Sequence, residues 1–211
     1  MSVAVVTVAV GAEYQARLPE GARAVAALDR PPDEVIVAVD DLPDRLVNEL
    51  TLILRDFWIV PSTREWVHHP QVLVNDAIAV AESEWICKMD VDDVILPHAL
   101  TPLDEVAGDV FMFGIRHGSQ DLVFSGVTAD LVRARRGNLV FSGSPFRRRF
   151  WEGNEFRDMI FEDWAFWIGC ADRGARFVSS GTVDYIYTQH DGQISARSDA
   201  GYWTSVVRSL P

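Results

Sequence analysis

Residues 84–97, EWICKMDVDDVILP, decide how this chain folds. An apolar run, Trp85, Ile86 and Cys87, leads into three carboxylates, Asp90, Asp92 and Asp93, and a second apolar run and a proline follow at once. Read as a buried strand over 85–89, the stretch delivers its acids to the strand's C-terminal end, where open α/β sheets bind ligands. Three carboxylates so close repel one another unless a cation or ligand donors compensate. A hard divalent ion with oxygen ligands meets that need. A calcium loop of the EF-hand type is excluded, because one starting at Asp90 requires glycine and glutamate where the chain has Ile95 and Thr101. Capping of a following helix accounts for one acid, not three.

Working back toward the N-terminus, 3–10 is a β-branched run ending at Gly11, the pattern of a central parallel strand. An Ala-rich helix over 20–29 is stopped by Pro31 and Pro32, and 34–39 forms a second buried strand ending on Asp40 and Asp41. Leu46, Leu50, Ile53 and Leu54 recur at helical spacing, 57–60 gives a third strand, and 71–82 is helical with Val72, Asn75 or Asp76, and Ala79 on successive turns. This β-α-β-α-β-α-β order over about ninety residues predicts an α/β fold with a mostly parallel central sheet flanked by helices. Both acid clusters, Asp40/Asp41 and Asp90/Asp92/Asp93, then converge on one edge of the sheet.

Past Pro97 the rhythm changes. The sequence predicts a helix over 97–106, a strand over 109–115, and 122–124 pairing with it across a turn at Gly118. Two arginine clusters follow, Arg133/Arg135/Arg136 and Arg147/Arg148/Arg149, either solvated faces or sites for a diphosphate or an anionic acceptor. FEDWAFWIGCADRG, 161–174, reads as a helix with Glu162 and Asp163 in its first turn, an apolar face of Trp164, Ile168 and Ala171, and a closing glycine. Strands over 176–179 and 183–188 follow, the second delivering His190. The expected organisation is one domain over 1–211, with a nucleotide-binding half (1–96) and an acceptor and catalytic half (97–211).

The totals bound the function. A chain of 211 residues, 48% hydrophobic and 24% charged, suits one globular domain. A net charge of −12 argues against nucleic acid and anionic membrane surfaces as partners. No apolar run reaches the roughly 20 residues of a membrane span, and SVAVVTVAVG lacks the basic flank of a signal peptide. Two cysteines, Cys87 and Cys170, predict neither a disulfide framework nor a zinc site, and point to a reducing cytoplasm. Lys88, the one lysine among nineteen basic residues, is read as compositional bias without functional meaning.

In order, these pieces resemble the family-2 glycosyltransferases, which share the GT-A fold. EVIVAVDD matches the strand ending in two aspartates; VNDAIAVAESEWICKMDVDDVILP matches a helix with an Asn running into Leu-Asp-x-Asp-Asp; FEDWAFWIGCADRGARF matches Glu-Asp heading a helix; and YIYTQHDGQIS matches a strand ending in His. The resemblance implies a nucleoside-diphosphate sugar donor contacted by Ala9, Gly11, Asp40, Asp41, Asn75, Asp90, Asp92 and Asp93. It implies Mn²⁺ or Mg²⁺ held by Asp92 and His190 with Asp90. Asp163 would be the general base, with Glu162 beside it. The acceptor would be a carbohydrate or another hydroxyl compound, and in-line displacement would invert the anomeric centre. AVGAEY replaces the family's Pro-x-Tyr-Asn-like end to the first strand, so Ala9 to Gly11 offer mainly backbone. A sugar-1-phosphate nucleotidyltransferase would want a glycine-rich, basic loop after the first strand, and GAEYQARLPEG has one arginine and separated glycines. A non-catalytic nucleotide- or carbohydrate-binding module on the same fold is the other alternative.

Overall fold

Val3–Ala9, buried at every position, is the strand around which the sheet assembles. The computed structural model describes residues 1–62, 70–188 and 200–210. In chain order the elements are β1 (Val3–Ala9), α1 (Ala12–Gln15), α2 (Leu18–Ala26), β2 (Glu34–Val39), α3 (Asp44–Ile53), β3 (Trp58–Pro61), α4 (Val74–Val80) and β4 (Trp85–Lys88). There follow β5 (Val94–Ile95), β6 (Val110–His117), β7 (Gln120–Leu122), α5 (Ala129–Arg133), β8 (Phe146–Arg147), α6 (Glu162–Asp172), β9 (Phe177–Tyr187) and α7 (Ala200–Ser209).

β1 pairs in parallel with β2 on one side and β4 on the other, and β3 extends the sheet beyond β2. Strands buried on both faces read as unbroken apolar runs, which is why this half was legible. Alternate β1 residues feed two cores. Ala4, Val6 and Val8 pack with α4 and α6, while Val3, Val5 and Ala9 pack with α2 and α3. Since β1, β2 and β4 run the same way, Gly11, Asp40 and Asp90 all follow carboxyl ends at one edge of the sheet.

The second half departs from the expected mostly parallel sheet. The order is β3-β2-β1-β4-β8-β6-β9-β5, with β7 on β6, and the sheet is mixed. β8 joins β4 and β6 antiparallel, β6 and β9 are parallel, and β5 and β7 pair antiparallel with β9 and β6. Parallel crossovers need a helix long enough to cover a sheet face. The expected helix over 97–106 is only a 3₁₀ turn, Thr101–Asp104, with Pro102 in its first turn. The strands expected over 176–179 and 183–188 are one strand, β9, with an irregular register opposite Gly114, where a Cβ would overlap the Thr182 carbonyl. α6 is not one-sided: Trp164, Ala165, Phe166, Trp167, Ile168, Cys170 and Ala171 are all buried, so the helix runs through the core.

The arginine clusters hold the fold together. Arg147 pairs with Glu84 and stacks 4.3 Å over the Trp85 ring, at the opposite end of β4 from Asp90. Arg148 bonds Glu152, Arg149 reaches the buried Asp109, and Arg133 bonds Asp130 and the Ala171 carbonyl. Arg147–Arg149 are therefore on the wrong edge of the sheet for a diphosphate gathered at the acids. No helix among the described residues is long and apolar enough to cross a membrane.

Candidate active site

β4 ends at Lys88, and the chain turns through Asp90 to Asp93. The Asp90 N–H donates to the buried Tyr185 hydroxyl at 3.2 Å, and the Asp93 N–H to the Asp90 carbonyl at 3.2 Å. These bonds fix a tight turn that presents Asp90, Asp92 and Asp93 to a cleft of about 350 Å³. Glu162 and Asp163, opening α6, line the same cleft, with Lys88, Asn138 and the aromatic rings of Tyr14, Phe124, Phe141, Phe161 and Tyr187. Acids from 90–93 and 162–163 are thus brought together, as the sequence implied.

Phe161 makes this meeting possible. It precedes α6 in the left-handed region, φ 65°, an unusual state for a bulky residue that costs of order 1–3 kcal/mol. Edge-on packing of its ring against Trp164, with centroids 6.3 Å apart, helps hold the turn. The turn aims the first residues of α6 into the cleft.

The five carboxylates do not share one environment. Asp93 is buried; its Oδ1 accepts the Thr188 N–H at 2.8 Å, and its Oδ2 has no partner among the described residues. Burial and the nearby charge of Asp90 push its carboxyl up to about 8. Glu162 is buried with Oε1 3.6 Å from the Lys88 ammonium, and burial raises its pKa against the pull of that lysine. Asp163 is half-buried and accepts the Asn138 amide at 2.7 Å. Burial and the Glu162 charge push it up to about 6.

Lys88 was missed as a site residue. It is buried, with Nζ 3.1 Å from Asp90 Oδ1. Burial works against its charge, but Asp90, Glu162 and Asp163 outweigh it and raise the pKa, so it stands as an ammonium. The available signal was its position: lysine is almost never fully buried unless paired, and this one sits inside an apolar strand two residues before the acids. Asn138 carried no signal, being a loop residue 25 positions from Asp163.

The residues after β1 and β2 form a second group at the same edge of the sheet. Gly11, at φ 79° and ψ 154°, donates its N–H to the Asp40 carboxylate at 3.2 Å; few residues but glycine adopt that backbone. Gln15 donates to Asp40 at 2.8 Å and also to the Asp41 carbonyl. Gly11, Asp40 and Asp41 are therefore brought together, exposed, at the carboxyl edge. The Ala9 side chain is buried in the core and offers only backbone.

Asn75 is placed away from the acids. It is buried, its Oδ1 accepts the Trp151 indole at 2.8 Å and the Phe156 N–H at 3.0 Å, and its amide donates to the Phe156 carbonyl at 2.8 Å. It clamps the 151–156 segment and does not line the cleft. His190 lies outside the described residues.

A divalent ion is compatible with this donor set. Five carboxylates face one lysine, an excess of negative charge that a hard cation would offset. Among the described residues no three His, Cys, Asp or Glu side chains converge as ligands.

Solved structures share the fold. TarS 1–349 of S. aureus with UDP-GlcNAc matches at TM-score 0.68 and 21% identity over 93% of this chain and 61% of that one. A mannosyltransferase from Pyrobaculum calidifontis with GDP-Man and Mn²⁺ matches at 0.64 and 17%, over 92% and 59%. Glucosyl-3-phosphoglycerate synthase from Mycobacterium tuberculosis, with Mn²⁺, UDP and phosphoglyceric acid, matches at 0.63 and 16%, over 100% and 79%. The chain spans 37% of the longer TarS structure and about 60% of its 1–349 fragment. No curated protein matches it in sequence. The model of glycosyl transferase family 2 matches residues 2–166, well over half of the sequence, and the chain belongs to that family.

Proposed function

We propose that this chain is the catalytic domain of a metal-dependent, inverting glycosyltransferase that moves a sugar from a nucleoside-diphosphate sugar to an acceptor hydroxyl. The observation that carries the reading is Asp163: a half-buried carboxylate, hydrogen-bonded to Asn138, on the same cleft as the acids after β4. UDP-GlcNAc and GDP-Man in the fold neighbours support a donor of that class.

Asp92 and His190 would hold Mn²⁺ or Mg²⁺, which when bound neutralises charge developing on the leaving diphosphate. Asp163 accepts the acceptor's proton as the new bond forms, on the face opposite the leaving group, which inverts the anomeric carbon. Asn138 orients that carboxylate. Gly11, Asp40 and Asp41 lie where the nucleoside would be held, and the aromatic rings lining the cleft exclude water from the reacting centre. The two buried, unpaired thiols suit a reducing, cytoplasmic setting.

A pH profile follows from the base. Asp163 must be ionised to act, and its pKa is pushed up to about 6. Activity should therefore be full above that value and fall about tenfold per unit as pH drops below it. In Asn138→Ala the carboxylate loses a stabilising donor, and the limb should move to higher pH. An acid limb near the ordinary aspartate value of about 4 in both proteins would rule Asp163 out.

A thermal-shift panel of nucleoside diphosphates and nucleotide sugars, with and without Mn²⁺, tests donor binding. A ligand that binds only the folded state at about 100 times its Kd stabilises it by about 2.7 kcal/mol. One nucleotide is expected to raise the melting temperature in a Mn²⁺-dependent way. No shift with any of them would count against the reading.

A further inference from the structure

Lys88 is the one basic side chain among the described residues that line the cleft, and it points at carboxylates from two elements at once. Its ammonium lies 3.1 Å from Asp90 Oδ1 on the turn after β4 and 3.6 Å from Glu162 Oε1 at the head of α6. It is 2% exposed, against 6% for the Glu162 side chain and 23% for Asp90. Resting on the transferase reading above, we propose that Lys88 is a positioning residue that takes Asp90 and Glu162 out of the cation's reach. It thereby leaves Asp92 as the principal acidic ligand from the turn and ties that turn to the helix carrying Asp163.

The physics is charge accounting in a confined space. A divalent ion drawn to Asp90 would stand close to an ammonium that cannot withdraw into solvent, and the repulsion is larger at the lower effective dielectric of a partly buried site. The ammonium's two ion pairs go to Asp90 and Glu162, and Asp93 Oδ1 is engaged by the Thr188 N–H. This revises the sequence expectation that Asp90 belongs to the metal shell. The triad also has a geometric consequence. Because Lys88 is in a central strand, the α6 head is anchored to the sheet by charge as well as by packing.

The test is calorimetric titration with Mn²⁺ alone on the wild-type chain, Lys88→Met, Lys88→Arg, Asp90→Asn, and the double variant Lys88→Met/Asp90→Asn. Removing the ammonium frees Asp90 and subtracts one positive charge, so Lys88→Met should bind Mn²⁺ about tenfold more tightly. Lys88→Arg should keep the wild-type affinity. Asp90→Asn alone should change it by less than about threefold, and in the double variant the gain should vanish, which is the signature of coupling. Unchanged or weaker Mn²⁺ binding by a folded Lys88→Met would overturn the assignment. Should circular dichroism show Lys88→Met unfolded, Asp90→Asn decides: a loss of about tenfold or more in Mn²⁺ affinity would make Asp90 a ligand after all. If the wild-type chain binds no Mn²⁺, even with nucleoside diphosphates present, the transferase reading falls along with this one. If it binds and the variants do not differ, only the role of Lys88 is wrong.

Discussion

Asp163→Asn is expected to lower kcat by about 10²–10⁴ while leaving donor binding and folding nearly unchanged. The amide keeps the shape of the carboxylate and its contact with Asn138, which sits at 2.7 Å and offers either a donor or, by rotating, an acceptor. What the amide cannot do is take a proton at neutral pH. The substitution also relieves charge crowding, because burial and the charge of the adjacent Glu162 both raise the cost of ionising Asp163. Stability should therefore hold steady or rise slightly. Steady-state rates with a saturating donor separate the effects: kcat falls while the Mn²⁺-dependent donor affinity stays within a few fold. A variant that turned over at the wild-type rate would move the base elsewhere on the cleft.

Asn75→Ala is expected to cost about 3 kcal/mol of stability, or about 6–12 °C in melting temperature for a chain of this size, with little change in the donor affinity of the folded protein. The Asn75 side chain satisfies three polar groups at once: the Trp151 indole N–H, the Phe156 N–H and the Phe156 carbonyl. Truncation leaves all three in a buried setting beside the core ring cluster of Phe146, Phe156 and Phe166, where a missing partner costs the full desolvation of the group. Phe156 stacks on Phe166 of α6 with centroids 4.4 Å apart, so loosening the 151–156 segment also loosens the helix behind Asp163. A change in donor affinity of tenfold or more without loss of stability would restore Asn75 to the nucleotide site.

The parts of this molecule legible in the sequence were those fixed by local pattern. β1, β2 and β4 are apolar runs buried on both faces, and parallel pairing forces the residues after them onto one edge. That alone placed Asp40 and Asp41 on the same side as Asp90 to Asp93. The Glu162–Asp163 pair at the head of α6 was legible for the same reason, since acids favour a helix N-terminus. What stayed hidden depends on partners far away in the chain. β5 and β8 are two residues each, too short to show a period, and exist only because β9, β4 and β6 pair with them. Asn75 looked like a ligand contact because its motif position suggested one, and its real partners lie 76 and 81 residues downstream. Lys88 was set aside as composition because its charge was weighed over the whole chain. Its meaning comes from a single buried position between two acids.

The most direct measurement is Mn²⁺-dependent release of nucleoside diphosphate from a panel of uridine, guanosine and thymidine diphosphate sugars, with wild-type chain beside Asp163→Asn. Metal-dependent release from at least one donor, slowed by about 10² or more in the variant, is the expected result. Binding of those donors with no release from any of them would contradict it, and would leave a nucleotide-binding module on a glycosyltransferase fold.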